Sequence, residues 1–576
     1  MKLAKNILTY IPGVLFLLLL AACHKVSVPV SAELAPNVFP QNPSQYASVL
    51  GSNYSALRGN FELDYWFMQS LTTDEAILPA RGGNWYDPAN GYNNLHYHNW
   101  TRDNGWTNTT WTWLATVIGN ANQSLSILNS TEPDSLPTKR SDLAEVKMVR
   151  ALAYFMMMDL YGNVPVDTLY GDFKPHPNIA RPQVFSFLEN EIRATIPYLS
   201  TAAGTTMYGR VNRYTAYALL AKMYLNAEYY TNTARYSDCV WACDSVINAG
   251  GGSLYKLEPR STYLQQFYPT NGPAQKEFIF AIPYDPTALV YPNTNGFNYR
   301  ARYDLNRNQG MRYHYSGSTP GTNIDPVINQ TTGSGLFNSK PSGPESTLPS
   351  FYAYFYDQGD IRNGQWLTGL QYNADGTPLR IKSTKGGPQG YDATYTGGDK
   401  SADYTYQLDL TPDIIFRTDP NSGANVSLFD LGNDDIAWNM GYRNIKFYPD
   451  STNTANRNQS NDVPVFRYAD ILLMKAEAIL RGAPATQGQS ALSLANQVRA
   501  ARTTAPAWGN ITLDSIYNER SREFAWETWH RNDMIRFGRY EGAWGFKTDN
   551  DPRRRIFPIP STALGLNPAL TQNPGY

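Results

Sequence analysis

Apolar residues recur at three- and four-residue steps through most of the first 250 residues. In the stretch SDLAEVKMVRALAYFMMMDLYG, Val146, Val149 and Ala153 fall on one face of a helix. Gly162 follows where that helix should end, because glycine adopts the left-handed conformation that closes many helices. Comparable patterns separated by short turns predict an array of helical hairpins. No clean 34-residue self-match is present, so any tetratricopeptide-like repeat is degenerate.

The pattern divides the chain into successive regions. Long helical patterns disappear between residues 251 and 462, where Gly, Pro, Asn, Ser and Thr increase and loops with short strands are expected. Helical periodicity returns in VPVFRYADILLMKAEAILRG, SALSLANQVRAAR and LDSIYNERSREFAWETWHRNDMIRFGRY. We therefore predict a mostly α-helical fold in which a long irregular insertion is carried on a helical body. The predicted divisions are a leader over 1–22, a helical part over 23–250, the insertion over 251–462 and C-terminal helices with an extended tail over 463–576.

The first residues have the pattern of a secretory leader. Lys2 and Lys5 precede an apolar run that ends in Leu20-Ala21-Ala22-Cys23. The run is shorter than the roughly 20 residues that a membrane-spanning helix needs. Its last four residues resemble a bacterial lipobox, in which the cysteine is lipidated and becomes the first mature residue. We therefore expect Cys23 to carry a lipid anchor on a chain that does not span the membrane.

Composition argues against some classes of ligand and favours others. The formal net charge is −1, so no basic surface suggests a nucleic-acid partner. The other cysteines, Cys239 and Cys243, lie four residues apart on a predicted helix and are interpreted as buried thiols. Aromatic residues make up 13% of the chain, many of them in loops rich in Asn and Gly. Rings beside amides suit sugar ligands, although most of the rings are expected to fill the core.

Several motifs, in this order, resemble one known family. They are the lipobox, LTTDEAIL, RALAYFMMMDLYGNVPV, GRVNRYTAYALLAKMYL, FRYADILLMKAEAIL, ERSREFAWETWHRNDMIRFG and the closing PIPSTALGLNPALTQNPGY. Together they resemble the SusD/RagB family of outer-membrane nutrient-binding lipoproteins of Bacteroidota. The resemblance runs nearly from end to end of the chain.

The resemblance implies a function as well as a fold. It implies tetratricopeptide-like hairpins with a ligand face made of inserted loops, and no catalysis. The residues themselves show no calcium-loop, P-loop or dinucleotide motif, so no cofactor or metal is expected. The resemblance also implies a surface lipoprotein that captures glycans, or in some members peptides, and delivers them to a SusC-type TonB-dependent transporter in the outer membrane. The sequence after Cys23, HKVSVPVSAEL, lacks the acidic run that many surface-exported lipoproteins of this phylum carry. That absence weakens the argument for surface exposure but not for lipidation.

The loop after LTTDEAIL is the first candidate for ligand binding. In SusD-like proteins this loop reaches the ligand face, and here its aromatic residues lie among amides that can bond sugar hydroxyls in two directions. The Thr73-Asp74-Glu75 motif that leads into it is interpreted as structural. The candidate residues of the loop are Asn84, Trp85, Tyr86, Asn90 and Trp100.

A second candidate patch opens the insertion, where the family often places another wall of the site. Its sequence is NGFNYRARYDLNRNQGMRYHY, from which we single out Tyr299, Arg302 and Tyr313. Arginine pairs with carboxylates through two parallel hydrogen bonds, so the patch suggests an acidic glycan. Trp366 is a further candidate for stacking on a ligand.

The sequence evidence for catalysis or metal binding is weaker than that for ligand binding. Glu523 and Glu527 resemble an acid–base pair, but their arginine-rich surroundings favour a structural salt-bridge network, with Arg520–Glu523 and Glu527–Arg531 pairs on one helix face. His96 and His98 would point the same way on a strand, yet they lack an evident third metal ligand, so packing is favoured. The alternatives left open are peptide capture, a glycoside hydrolase using Asp87 and Asp304, and a scaffold that binds no ligand.

Overall fold

The computed structural model describes residues 39–80, 91–131, 133–284, 345–370, 380–382, 405–407, 409–416, 429–431, 439–448 and 461–576. Within these ranges the protein is mostly α-helical, as predicted. The helices of the N-terminal half are α1 (Pro43–Arg58), α2 (Trp66–Ser70), α3 (Tyr92–Tyr97), α4 (Gly105–Thr131), α5 (Lys139–Tyr161), α6 (Arg181–Thr195), α7 (Arg213–Leu225), α8 (Ala227–Thr231) and α9 (Tyr236–Ile247). Those that follow are α10 (Pro349–Tyr352), α11 (Tyr468–Leu480), α12 (Ala491–Ala500), α13 (Leu513–Glu523), α14 (His530–Arg536) and α15 (Ser561–Leu566).

Neighbouring helices pack in the order that a hairpin array requires. Helix α1 packs on α4, α4 on α5 and α5 on α6, while α7 packs on α9, α9 on α11 and α11 on α12. The predicted tetratricopeptide-like arrangement is therefore confirmed. Helix α11 completes the array although more than 200 residues separate it from α9. The two helical parts of the sequence thus form one body.

Helix α5 lies at the centre of this body. Every residue from Ala144 to Tyr161 except Lys147 is buried, so the apolar face predicted from the sequence is part of a helix covered on all sides. Gly162 ends the helix with φ of 73°, and its N–H donates to Met158 O at 3.0 Å. The predicted helix end is therefore confirmed.

The strands in the described ranges are short and form two-stranded antiparallel sheets. They are β1 (Phe278–Ile282), β2 (Trp366–Leu367), β3 (Gly369–Leu370), β4 (Arg380–Lys382), β5 (Thr405–Gln407), β6 (Asp409–Leu410), β7 (Arg443–Asn444) and β8 (Val463–Arg467), paired β1–β8, β2–β7, β3–β6 and β4–β5. The prediction that VPVFR begins a helix is wrong. These residues form β8, with Phe466 opposite Phe280, and α11 begins directly afterwards at Tyr468.

The stretch predicted as one long helix near the C-terminus is broken. Helix α13 ends at Glu523 and α14 begins at His530, with Trp526 and Thr528 at φ of 65° and 69° between them. Left-handed backbone is costly for such side chains and persists only where surrounding contacts hold it. Here Glu75 accepts a hydrogen bond from Trp526 N at 2.6 Å. Contacts distant in sequence therefore override the local helical pattern.

Two smaller expectations concern the cysteines and the membrane. Cys239 and Cys243 are buried free thiols on α9, as predicted. Among the helices in the described ranges, none is both long and apolar enough to cross a bilayer.

Candidate functional site

Backbone pairing brings the ends of distant loop segments together. Ile77 N donates to Ser346 O at 2.8 Å, and Ser346 N donates to Ile77 O at 2.9 Å. Ala80 N donates to Phe429 O at 2.9 Å, and Leu431 N donates to Ala80 O at 2.9 Å. The residues before segment 81–90, after segment 285–344 and between segments 417–428 and 432–438 therefore lie side by side.

Apolar side chains fix these flanking residues in place. We call the group the stem cluster; it consists of the buried residues Ile77, Leu348, Ile414, Phe429, Leu431 and Met440. Phe416 extends it outward, with ring centroids 4.7 Å from Phe429 and 4.5 Å from Phe546. Segments 417–428 and 432–438 thus start and end on this packed base, while segment 81–90 starts beside it and segment 285–344 ends beside it.

A neutral histidine completes this base. Burial lowers the pKa of His96 to about 3, so its imidazole is uncharged at neutral pH. Its Nε2 accepts a hydrogen bond from Phe546 N at 3.2 Å, and its ring lies 5.6 Å from that of Phe429. His96 therefore joins the C-terminal region to the stem cluster.

Most of the predicted ligand-binding residues lie on the segments that the stems support. Outside the described residues are Asn84, Trp85, Tyr86, Asn90, Tyr299, Arg302 and Tyr313, together with the predicted lipidation site Cys23. The first four belong to segment 81–90 and the next three to segment 285–344, whose flanking residues are paired at Ile77 and Ser346.

Trp100 and Trp366 are core residues. Trp100 is 1% exposed, and its Nε1 donates to the Tyr576 hydroxyl at 3.0 Å. Trp366 is 6% exposed, and its ring lies 5.2 Å from Phe355 and 5.5 Å from Trp526. Both indoles are buried, so neither presents a ring face to solvent. The predicted stacking role is therefore not supported for either residue.

The two histidines do not lie on a strand. His96 is in α3 and His98 follows it with φ of 62°, and both are buried. His98 Nε2 donates to Thr72 O at 2.9 Å, and burial lowers the pKa of its imidazole. No cluster of three metal-ligating side chains occurs in the ranges the structure describes. Packing and hydrogen bonding within the fold account for the positions of both imidazoles.

Glu523 and Glu527 belong to a buried charge network. Glu523 contacts Arg467 at 2.8 Å, Arg362 at 3.0 Å and Arg502 at 3.1 Å. Although burial raises its pKa, the charges of Arg502, Arg467 and Arg362 hold the pKa of Glu523 well below its usual value. The predicted network is confirmed, but its pairs join different elements of the fold.

The pairs expected within one helix are wrong. Arg520 contacts Asp470 and Asp533, each at 2.8 Å, instead of Glu523. Glu527 contacts Arg467 at 2.7 Å and Lys446 at 2.5 Å, instead of Arg531. The break between α13 and α14 removes the helical register between Glu527 and Arg531, whereas Arg520 and Glu523 both lie in α13 and take partners from other elements.

The Thr-Asp-Glu motif has the structural role expected from the sequence, through contacts that the sequence did not indicate. Thr73 Oγ1 accepts from Glu75 N at 3.1 Å, and Asp74 contacts His530 Nε2 at 2.8 Å. Burial lowers the pKa of His530, but the hydrogen bond and charge of Asp74 outweigh it, so the pKa is raised overall. The motif therefore ties the segment leading to the stem cluster to α14.

The ion pair between Asp74 and His530 should make the folding stability depend on pH. Because the folded-state pKa of His530 is raised, its stabilisation is complete below the unfolded pKa of about 6.5 and is lost as the pH rises through the folded pKa. The loss in thermal midpoint caused by His530→Gln should be larger at pH 5.5 than at pH 9. In an Asp74→Asn background this pH dependence should vanish. An equal loss at both pH values would contradict the charged pair.

Sequence reasoning missed the stem residues themselves. Ser346 and Gly441 lie within the irregular region, where no periodic pattern singles them out. The positive φ of Gly441, 79°, is the kind of requirement that a glycine signals, but many glycines occur in this region. The pairing of Ser346 with Ile77 joins parts of the chain that are remote in sequence, which local patterns do not reveal.

Comparison with known proteins identifies the scaffold. A family model described as "SusD family" matches residues 218–576, which is more than half of the chain. A second model, described as "Starch-binding associating with outer membrane", matches residues 64–225. The chain belongs to the SusD/RagB family. The resemblance seen in the sequence motifs is therefore confirmed.

Individual relatives of this SusD/RagB protein are distant in sequence. It is 24% identical to the starch-binding protein SusD of Bacteroides thetaiotaomicron over 457 residues, covering 75% of this chain and 72% of the relative. It is 23% identical to a SusD-like protein of Formosa agariphila over 577 residues, covering 95% of this chain and 94% of the relative.

A solved structure agrees with the fold of this SusD/RagB protein. The structure of a laminarin-binding SusD-like protein matches it with a TM-score of 0.67 and 20% identity, covering 93% of this chain and all of that one. At this identity the likeness supports the shared architecture.

Proposed function

We propose that this protein is a lipid-anchored binding protein that captures oligo- or polysaccharide at the outer membrane and delivers it to a SusC-like TonB-dependent transporter. The proposal rests on the observation that residues flanking the two candidate loop segments lie next to each other. Segments 81–90 and 285–344, which hold the predicted rings and arginines, are flanked by residues that pair with each other. This supports a single ligand face built from both segments. The lipobox pattern at Leu20-Ala21-Ala22-Cys23 is what supports Cys23 as the anchor.

The buried carboxylates support binding rather than catalysis. A hydrolase needs two carboxyl groups that face a substrate across a cleft. Glu523 and Glu527 are instead 0% and 3% exposed and contact arginine or lysine side chains. Of the alternative acids, Asp87 and Asp304 lie outside the described residues.

Replacing the central ring of the first loop should weaken glycan binding. We expect Trp85→Ala to lower affinity for the best-bound polysaccharide by up to about tenfold, because stacking of this kind contributes about 1 kcal/mol. The measurement is affinity electrophoresis against a polysaccharide panel, followed by calorimetry, with the chain from His24 onward.

A matched control comes from α9. Trp241 is 41% exposed and lies outside the stem region, so Trp241→Ala should leave the affinity unchanged. Equal affinity of Trp85→Ala and wild type would remove Trp85 from the site. Binding of a peptide library without any glycan would instead favour peptide capture.

A further inference from the structure

A groove separate from the stem cluster runs along helix α4. It is formed by α4, by the segment 163–173 that follows α5, and by α15 with the residues after it. Its volume is about 460 Å³, within the range of about 300 to 1,000 Å³ typical of ligand pockets. We call it the α4 groove. No predicted ligand-binding residue lines it.

Helix α4 lines one side of the α4 groove with small residues that lie between larger ones. Trp111, Ala115, Gly119 and Gln123 follow one another at four-residue spacing and therefore lie on one face of α4. A Cβ atom at Gly119 would have no neighbour within 4 Å. The two small residues leave room for a flat ligand to rest against the helix.

Exposed rings form the opposite lip. Phe173 is 92% exposed and Tyr170 is 55% exposed, and both line the groove. Nine large hydrophobic side chains in the described ranges are exposed, and four of them surround this groove: Leu169, Tyr170, Phe173 and Leu566. A cluster of this kind on a folded surface marks a site of interaction.

Polar groups sit beside these rings. Gln123 Nε2 donates to the Tyr170 hydroxyl at 3.2 Å, which holds the amide and the ring together. Asn120 lines the same side of the groove, and Asp167 and Asp172 line the lip. An amide donates and accepts hydrogen bonds in different directions, as the hydroxyls of a sugar require. Both carboxylates contact His176, and two carboxylates beside one imidazole keep a net negative charge, which disfavours an anionic ligand.

From this arrangement we infer that the α4 groove is a second carbohydrate-binding site, one that takes a short neutral stretch of a glycan. Phe173 and Tyr170 stack on sugar faces while Gln123 and Asn120 bond to hydroxyls. The concavity and the pairing of rings with amides favour a sugar over a flat protein surface. The inference rests on the proposed function for its ligand class. Two linked sites on one chain would raise the avidity for a long polysaccharide.

Oxidative footprinting tests the inference directly. The chain from His24 onward is labelled with hydroxyl radicals, alone and with fragments of laminarin, starch, xylan or alginate. We expect a neutral glycan to slow oxidation of Tyr170 and Phe173 at least threefold, whereas anionic alginate fragments should not. Tyr198, which is 46% exposed and lies outside the groove, should remain unchanged and serves as the internal control.

Variants separate this site from the loop face. In a Trp85→Ala background, Tyr170→Ala and Phe173→Ala should each reduce the remaining affinity about three- to tenfold, the range expected for loss of one ring contact. Tyr198→Ala in the same background should change nothing. Both groove side chains are largely exposed, so their replacement is not expected to unfold the protein.

The outcomes separate the two proposals. Loss of binding with Trp85→Ala, without protection of Tyr170 or Phe173, overturns the groove and keeps the loop face. Protection of the groove with no effect of Trp85→Ala keeps the groove and removes Trp85 from the loop face. Absence of binding to every glycan overturns both. Protection of the groove by a purified transporter, and by no glycan, would make it a protein-docking surface and overturn the inference.

Discussion

Replacing Glu523 by glutamine should be among the most destabilising single changes in this protein. The Glu523 carboxylate is fully buried and contacts the guanidinium groups of Arg362, Arg467 and Arg502. Neutralising it leaves three buried cations with less compensation. Removing one partner of a buried ion pair typically costs about 3–5 kcal/mol. We therefore expect Glu523→Gln to lower the free energy of unfolding by about that amount, measured by chemical denaturation.

The same helix supplies a control for Glu523→Gln. Asp514 lies in the first turn of α13, pairs with Arg539 at 2.5 Å and has a side chain that is 78% exposed. Its replacement by asparagine should cost less than about 1 kcal/mol, because water screens exposed pairs. Similar losses for Asp514→Asn and Glu523→Gln would contradict the claim that burial sets the energy of the network.

Replacing Gly441 by alanine should disturb the stem cluster and, with it, ligand binding. Gly441 has φ of 79°, and an added Cβ atom would press on Ser346 and lie 2.7 Å from Ile414 Cδ1. Left-handed backbone and overpacking together should cost about 2–4 kcal/mol. Ser346 is the partner of Ile77, so the affinity for the preferred glycan should fall as well. Thermal unfolding and calorimetry measure the two effects.

Gly538→Ala is the matched control for Gly441→Ala. Gly538 also has a positive φ, 67°, but an added Cβ atom would meet nothing within 4 Å. It should lose only the conformational part, about 1–2 kcal/mol, and bind glycan normally. If Gly441→Ala bound glycan as tightly as Gly538→Ala does, the stems would not control the geometry of the ligand face.

The periodic parts of the sequence were sufficient to predict the helical body. Apolar spacing placed α5 correctly, and the helix predicted around Cys239 and Cys243 is α9. Burial against neighbouring helices imposes such spacing on any packed helix. The pattern failed at VPVFR and at the break before His530. In both places a long-range contact decides the backbone: pairing with β1 in the first, and the Glu75 carboxylate in the second.

The candidate site was less predictable from sequence. Aromatic content marked Trp100 and Trp366 as well as Trp85, yet the first two fill the core, because a ring that can stack on a sugar packs equally well on other rings. Local sequence does not distinguish these uses. The buried network was foreseen as structural, but Arg362 and Arg502 were not identified as partners of Glu523, since they approach from other elements.

The hydrogen-bonded residues beside the loop segments also have a consequence for changes in ligand specificity. The hydrogen bonds between Ile77 and Ser346, and between Ala80 and residues 429–431, hold the residues before segment 81–90, after segment 285–344 and between segments 417–428 and 432–438 in register with the body. The entropic cost of closing a flexible loop grows only with the logarithm of its length. Segments of different length and composition can therefore be grafted between the same anchor points with little penalty to folding. The segments that recognise the ligand can therefore be exchanged without changing the helical body that carries them.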